Sequence, residues 1–83
     1  IKPKVVILDE PTRGIDAAAR ADVYLVIQEL RRQGVSILLI SSDMEEIIEL
    51  ADRAFTMYRG RINHEFKKSA ITQDNLMSAA FGL

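Results

Sequence analysis

The sequence predicts an α/β fold with the element order β-α-β-α-β-hairpin-α. Two short apolar runs, Val5 to Leu8 and Val35 to Ser41, have the composition of parallel strands buried on both faces. A stretch of helical periodicity lies between them, so the three elements form a βαβ unit, which closes onto a parallel sheet. From Arg53 the apolar period changes to two, which predicts an antiparallel hairpin.

The first strand ends in two adjacent carboxylates, Asp9 and Glu10. The carboxyl end of a parallel strand faces the crevice where α/β proteins bind ligands, and neighbouring carboxylates repel each other unless a cation or a proton is present. Because Glu10 precedes Pro11, we expect the chain to stay extended there, with the two side chains on opposite sides. The pair is therefore a candidate site and not merely a polar strand end.

The first helix is predicted over residues 17–33, with Asp16 as its N-cap and Gly34 as its C-terminal stop. Its buried stripe is predicted to be Val23, Val26, Ile27 and Leu30. The strand that follows contains the apolar run of residues 37–40, and we expect it to be central in its sheet.

The second half of the chain begins with a short helix, capped by Asp43 with Glu46 or by Ser42 with Glu45. The predicted buried face of this helix is Met44, Ile47, Ile48 and Ala51. The hairpin turns at Arg59-Gly60, and a last helix, capped by Thr72, follows a polar link. That helix is predicted to carry the apolar residues Leu76, Met77, Ala80 and Phe81.

Length and composition exclude several classes of protein. Eighty-three residues make one small domain at most, and a net charge of −1 without a basic excess argues against nucleic acid. The absence of cysteine excludes disulfides and thiolate metal sites, and no apolar run is long enough to span a membrane. Because the chain starts with Ile1 shortly before a strand, we expect it to be a fragment of a longer protein.

The motifs carry a resemblance to a known family. Residues 5–16 resemble the Walker B and D-loop segment of ABC-transporter ATPase subunits, and the resemblance continues through residues 37–46, 51–53 and 60–62. Thr-Arg-Gly-Ile-Asp at 12–16 and Ser-Ser-Asp at 41–43 are similar to the second ATPase half of importers for ribose, galactose, xylose or the autoinducer-2 sugar. The chain would then be a C-terminal fragment of a P-loop ATPase sheet, incomplete without the phosphate-loop strand.

This resemblance implies one domain over residues 1–83, with the Walker B, D-loop and H-loop region in 1–52 and the hairpin and terminal helix in 53–83. It also implies roles for four residues. Asp9 would hold Mg²⁺, through water, and Glu10 would act as the general base on the attacking water. Asp16 would lie at the interface with the other ATPase half, besides capping its helix. Ser42 stands where most members have a histidine that reaches the γ-phosphate, and it can donate one hydrogen bond to phosphate or water. Asp9, Asp16 and Ser42 are thus the cofactor-binding residues that the resemblance implies.

The resemblance further implies Mg-ATP as the ligand of the parent protein, which would be an ATPase that powers sugar import. Its partners would be transmembrane permease subunits, a periplasmic binding protein and the other ATPase half, on the cytoplasmic face of the bacterial inner membrane. The chain has neither a Gly-x-x-x-x-Gly-Lys-Ser/Thr loop nor a Leu-Ser-Gly-Gly-Gln signature, so we expect no nucleotide bound to it in isolation and no activity. An open sheet edge on an apolar surface predicts that it self-associates.

Two other readings remain open at this point. A receiver-type phosphoacceptor domain also has a buried strand that ends in an aspartate. In such a domain the proline follows at greater spacing than Pro11 follows Asp9, and an earlier strand carries a further acidic pair. The other reading is a non-catalytic, self-associating module.

Overall fold

The computed structural model describes residues 4–83 and divides the chain into two compact units, one ending at Ser42 and one beginning at Asp43. The first unit contains strand β1 (Val5–Asp9), helix α1 (Ala17–Arg32) and strand β2 (Ser36–Ile40). The second contains helix α2 (Met44–Leu50), strands β3 (Arg53–Tyr58) and β4 (Arg61–Lys67), a 3₁₀ turn (Lys68–Ala70) and helix α3 (Gln73–Ala80). The predicted α/β element order is confirmed. The first three residues of the predicted domain lie outside the described part.

In the first unit, β1 and β2 form a parallel pair, as the βαβ pattern predicts. The register runs from Val5 opposite Ser36 to Asp9 opposite Ile40. Helix α1 connects the two strands and packs against β2, with Ile27 and Val35 as the buried apolar residues of this unit. The carboxyl ends of both strands therefore lie at the same edge of the sheet.

The prediction that these strands are buried on both faces is wrong. Exposure alternates along each strand, and the exposed apolar residues share one face of the sheet: Val5 (60%), Ile7 (65%), Leu38 (52%) and Ile40 (45%). The reason is that a parallel sheet needs helices on both faces, and this unit has one helix. Among the described residues β2 pairs only with β1, so the expected central position is also not observed.

The two ends of α1 form as their sequences predict. Asp16 is extended, and its Oδ1 accepts a hydrogen bond from the Ala19 amide at 2.8 Å. At the other end Gly34 has φ +87°, and the Gly34 and Val35 amides donate to the carbonyls of Arg31 and Leu30. This is a Schellman motif, and it requires the left-handed conformation that glycine adopts without strain.

The predicted buried stripe of α1 is only partly right. Ile27 is buried, and Val23 and Leu30 are half-buried, but Val26 is 60% exposed. With one two-stranded sheet to pack against, the helix covers a narrower stripe than four residues.

In the second unit, the hairpin turns at Arg59 and Gly60, both of which have positive φ, as a two-residue type I′ turn requires. A β-bulge interrupts the pairing, since Thr56 lies opposite His64 while Met57 lies opposite Ile62. The core consists of Ala54, Ile71 and Leu76, and partly buried apolar residues pack against it: Met44, Ile47, Ile48, Ala51 and Phe66. The predicted face of α2 is therefore only partly right: its four residues are half-buried against this core, whereas the buried residues of the helix are Glu46 and Leu50.

The extra residue of the bulge, Asn63, ties the hairpin to α3. Its Oδ1 accepts a hydrogen bond from the Thr56 hydroxyl at 2.7 Å, and its Nδ2 donates to the carbonyl of Ala79 at 2.7 Å. Thr56 is 9% exposed and Ala79 is 2% exposed. The bulge thus turns a side chain towards the helix and satisfies buried polar groups on both elements.

Helix α3 begins as predicted, because the Thr72 hydroxyl accepts from the Asn75 amide at 3.2 Å. Of the apolar residues predicted for this helix, Leu76 is buried, whereas Met77 (41%), Ala80 and Phe81 (71%) are exposed. The buried stripe of this eight-residue helix runs from Leu76 to Ala79, one helical turn apart. Within residues 4–83, no helix has the length and apolar character needed to cross a membrane.

Candidate functional site

The carboxyl ends of β1 and β2 bring together two of the predicted site residues, Glu10 and Ser42. The Glu10 amide continues the parallel ladder by donating to the Ile40 carbonyl at 2.7 Å. Two residues beyond Ile40, the Ser42 hydroxyl donates to Glu10 Oε2 at 3.3 Å. The two side chains are 32 residues apart in sequence, so this contact exists because of the parallel register.

The 3.3 Å separation is longer than the 2.7–2.8 Å typical of a hydroxyl-to-carboxylate hydrogen bond. At this distance the hydrogen bond is weaker than one of typical length.

The expectation that the chain stays extended through Glu10 is wrong, because Glu10 has φ +51°. The chain leaves the ladder there and enters two consecutive turns, in which the Arg13 amide donates to the Glu10 carbonyl and the Ile15 amide to the Thr12 carbonyl. Pro11 disfavours the right-handed helical region for the residue before it, so a sharp turn at Glu10 uses the left-handed one. Such a conformation costs a non-glycine residue on the order of 1 kcal/mol, and strain of this kind clusters at functional sites.

Asp9 and Glu10 differ in environment. Asp9, the last residue of β1, is exposed and belongs to the same face of the strand as Val5 and Ile7, whereas Glu10 is half-buried. The two carboxylates therefore differ in exposure, and the different tasks predicted for them stay a prediction.

Asp9 has the chemistry that a magnesium site requires. Mg²⁺ in phosphoryl-transfer sites takes one or two carboxylates and completes its octahedron with water and substrate phosphates. In the part of the chain that the structure describes, no three His, Cys, Asp or Glu side chains gather as a metal site. The Mg²⁺ role predicted for Asp9 stays a prediction.

Asp16 is separated from the pair by the two turns, and its side chain is occupied with capping α1. Its predicted second role, at an interface with another ATPase half, stays a prediction. His64 lies in the second unit, where its ring stacks on Phe66 with centroids 5.7 Å apart.

Sequence reasoning missed the burial of three polar residues, one of which is Thr56 in the hairpin. Thr12, in the turns after Glu10, is 6% exposed, and Glu46, at the start of α2, is 1% exposed. Asp43 caps α2 by accepting from the Glu45 and Glu46 amides, so Glu46 occupies the third helical position as predicted. A carboxylate at that position suits the helix dipole, but no local pattern indicates its burial.

Comparison with curated proteins gives relatives that match over the whole chain. The ribose import ATP-binding protein RbsA of Yersinia pestis is 43% identical over all 83 residues, as is that of Shigella dysenteriae. The xylose import ATP-binding protein XylG of Geobacillus kaustophilus is 49% identical over 80 residues, or 96% of the chain. The chain spans only 16–17% of the length of these relatives. No protein-family model matches it.

Solved structures with the same fold are ATP-binding cassettes. An ATP-binding cassette of an ABC transporter in its ADP conformation matches 98% of this chain with a TM-score of 0.76 and 22% identity; the chain covers 34% of it. A component of the cbiONQ ABC transporter of Clostridium perfringens matches 93% of the chain with a TM-score of 0.74 and 26% identity, and 32% of that structure is covered. The resemblance predicted from the motifs is confirmed: the chain is similar to sugar import ATP-binding proteins over 96–100% of its length, and it shares the fold of an ATP-binding cassette of an ABC transporter.

Proposed function

We propose that the protein containing this chain is the ATP-hydrolysing subunit that powers import of a sugar or sugar-like solute across the bacterial inner membrane. The observation that carries the proposal is the contact between Glu10 and Ser42 at the carboxyl ends of two parallel strands. The same positions in the sequence carry the Walker B and H-loop resemblance, and sugar import ATP-binding proteins match the chain from end to end. A receiver-type phosphoacceptor has no such support.

In this proposal each residue has a defined task. Glu10 accepts a proton from the attacking water, and its half-buried position limits how freely the carboxylate can turn. The exposed Asp9 carboxylate binds Mg²⁺ through water; the metal, when bound, neutralises charge on the nucleotide phosphates. Asp16 begins α1 and contributes to the interface with the second ATPase half. The phosphate loop and the signature motif would come from sequence outside the chain.

The partners proposed for the whole protein are transmembrane permease subunits and a periplasmic binding protein. The protein would be peripheral on the cytoplasmic face of the inner membrane, and nucleic acid is not among its ligands. Because the permease and the binding protein choose the solute, the identity of the sugar is not encoded in these residues. The predicted position of the chain, in the C-terminal part of a second ATPase domain, belongs to the same proposal.

The proposal is tested by Glu10→Gln in the full-length protein, or in a chimaera in which the chain replaces the matching segment of Yersinia pestis RbsA. Loss of a general base should lower the ATPase rate by about 100-fold or more while Mg-ATP binding is kept. Glu49→Gln, an exposed change on α2, is the matched control and should leave the rate unaltered. A Glu10→Gln protein that keeps half of the ATPase rate would contradict the assignment.

The isolated chain is expected to be inactive and to self-associate. It lacks the phosphate loop, and Val5, Ile7, Leu38 and Ile40 leave one face of its parallel sheet apolar and exposed. Calorimetric titration with Mg-ATP should therefore give no binding in the micromolar range, and light scattering should show species larger than a monomer. Binding of Mg-ATP in the micromolar range would refute the expected inactivity of the isolated chain. A clean monomer at high concentration would refute its expected self-association.

A further inference from the structure

We infer that Ser42 is a positioning residue that orients the Glu10 carboxylate, and not a ligand of the nucleotide phosphates. The inference rests on the proposed function, since it assigns Ser42 a task within the site whose base is Glu10. The observation behind it is that the Ser42 hydroxyl donates to Glu10 Oε2 at 3.3 Å.

A serine hydroxyl has a single proton to donate. While the Ser42 hydroxyl donates that proton to Glu10 Oε2, it has none to donate to a phosphate oxygen. Ser42 therefore cannot bind the carboxylate and a phosphate as a donor at the same time. Serine is also neutral and short, and it cannot supply the positive charge that would attract a phosphate. The acceptor that the structure gives this hydroxyl is the carboxylate.

The backbone holds both partners of the contact in place. Glu10 is tied to β2 by its own amide, which donates to the Ile40 carbonyl at 2.7 Å, and Ser42 follows Ile40 by two residues. The left-handed backbone at Glu10 (φ +51°) ends the ladder and begins the turn away from β2. With Oε2 held by Ser42, Oε1 is left to accept the proton of the attacking water.

This arrangement predicts which kinetic constant depends on Ser42. A hydrogen bond that orients the base acts on the rate of hydrolysis and leaves nucleotide binding alone. A serine that contacts phosphate would instead contribute to the affinity for ATP. The two roles are therefore separable by comparing kcat with binding.

The test uses the full-length protein, or the RbsA chimaera described above. Ser42→Ala should lower kcat about tenfold with an unchanged KM for Mg-ATP, the size expected for one hydrogen bond to a charged group. Ser42→Thr keeps the hydroxyl at an exposed position and should retain kcat to within about threefold. Ser36→Ala, the same change at the other end of β2, is the matched control and should alter neither constant.

A second measurement separates this inference from the proposed function. In a Glu10→Gln background, adding Ser42→Ala should change neither the residual rate nor the Kd for Mg-ATP, because Ser42 acts only through the carboxylate. A weaker Kd in that background, or equal losses in Ser42→Ala and Ser42→Thr, would overturn the positioning role. Full activity of Glu10→Gln alone would instead overturn the proposed function.

Discussion

Replacing Asp16 by alanine is expected to destabilise the chain by about 1.5 kcal/mol. The Asp16 carboxylate accepts one hydrogen bond, at 2.8 Å from the Ala19 amide, and loss of such a cap costs about 1 kcal/mol. The first turn of α1 contains no other acidic residue, so the change also removes the only carboxylate at the positive end of the helix dipole. That second effect adds about 0.5 kcal/mol.

Urea and thermal unfolding of the chain, followed by far-ultraviolet circular dichroism, measure this loss. The expected fall in the melting temperature is roughly 6 to 12 °C for a protein of this size. Asp16→Asn keeps the oxygen acceptor and loses only the charge, so it should cost about 0.5 kcal/mol. Asp22→Ala, at an exposed interior position of α1, is the matched control and should be neutral or slightly stabilising.

The capping explanation is refuted if Asp16→Asn is as damaging as Asp16→Ala, or if Asp16→Ala unfolds like the parent sequence. The Asn variant also tests the proposed interface role, because it leaves the cap in place. If Asp16 contacts a second ATPase half, Asp16→Asn in the full-length protein should lower ATPase activity although it costs only about 0.5 kcal/mol of stability.

Two further predictions concern stability. Asn63→Ala should lower the free energy of unfolding in urea by about 2 kcal/mol, because it leaves the buried Thr56 hydroxyl without its acceptor. The double variant with Thr56→Val should lose less stability than the sum of the two single variants. Additive losses would contradict the hydrogen bond. On α1, the hydrogen bond from Arg32, and after it that from Gln33, lowers the pKa of Glu29 from its ordinary value of 4.5. A lowered carboxyl pKa contributes stability that is present above the unfolded pKa and lost as pH falls through the folded one. Glu29→Gln should therefore make the free energy of unfolding fall less steeply below about pH 4.5 than it does in the parent sequence. Because the Glu29–Arg32 ion pair is exposed, this difference between variant and parent should vanish in 1 M salt. A difference that persists in salt would exclude the ion pair as its cause.

Local structure was largely predictable because it depends on residues close in sequence. Asp16 and Gly34 bound α1, Arg59-Gly60 makes the hairpin turn, and Thr72 caps α3, each within a few residues of the groups it contacts. The motif around Asp9 and Glu10 was equally visible, since it consists of consecutive residues. A cap or a turn acts through its immediate backbone neighbours, so its residue types carry the information.

Which apolar faces of the helices and strands are buried could not be predicted from the sequence in the same way. Val5 and Met77 are as apolar as their buried neighbours, yet they are exposed because no element of their own unit packs over them. The left-handed backbone at Glu10 and the burial of Glu46 likewise depend on the path of the chain and on its packing, which periodicity does not record.

The sequence alone was enough to predict the order of the elements, their ends, the acidic pair and the family resemblance. The contact between Glu10 and Ser42 required the folded chain, because the parallel register of β1 and β2 spans the 32 residues that separate them. From residue types, Ser42 was a donor without a known acceptor; the pairing of two strand ends supplies the Glu10 carboxylate as that acceptor. Hydrogen bonds between distant residues are set by register, and register depends on the packing of a whole sheet.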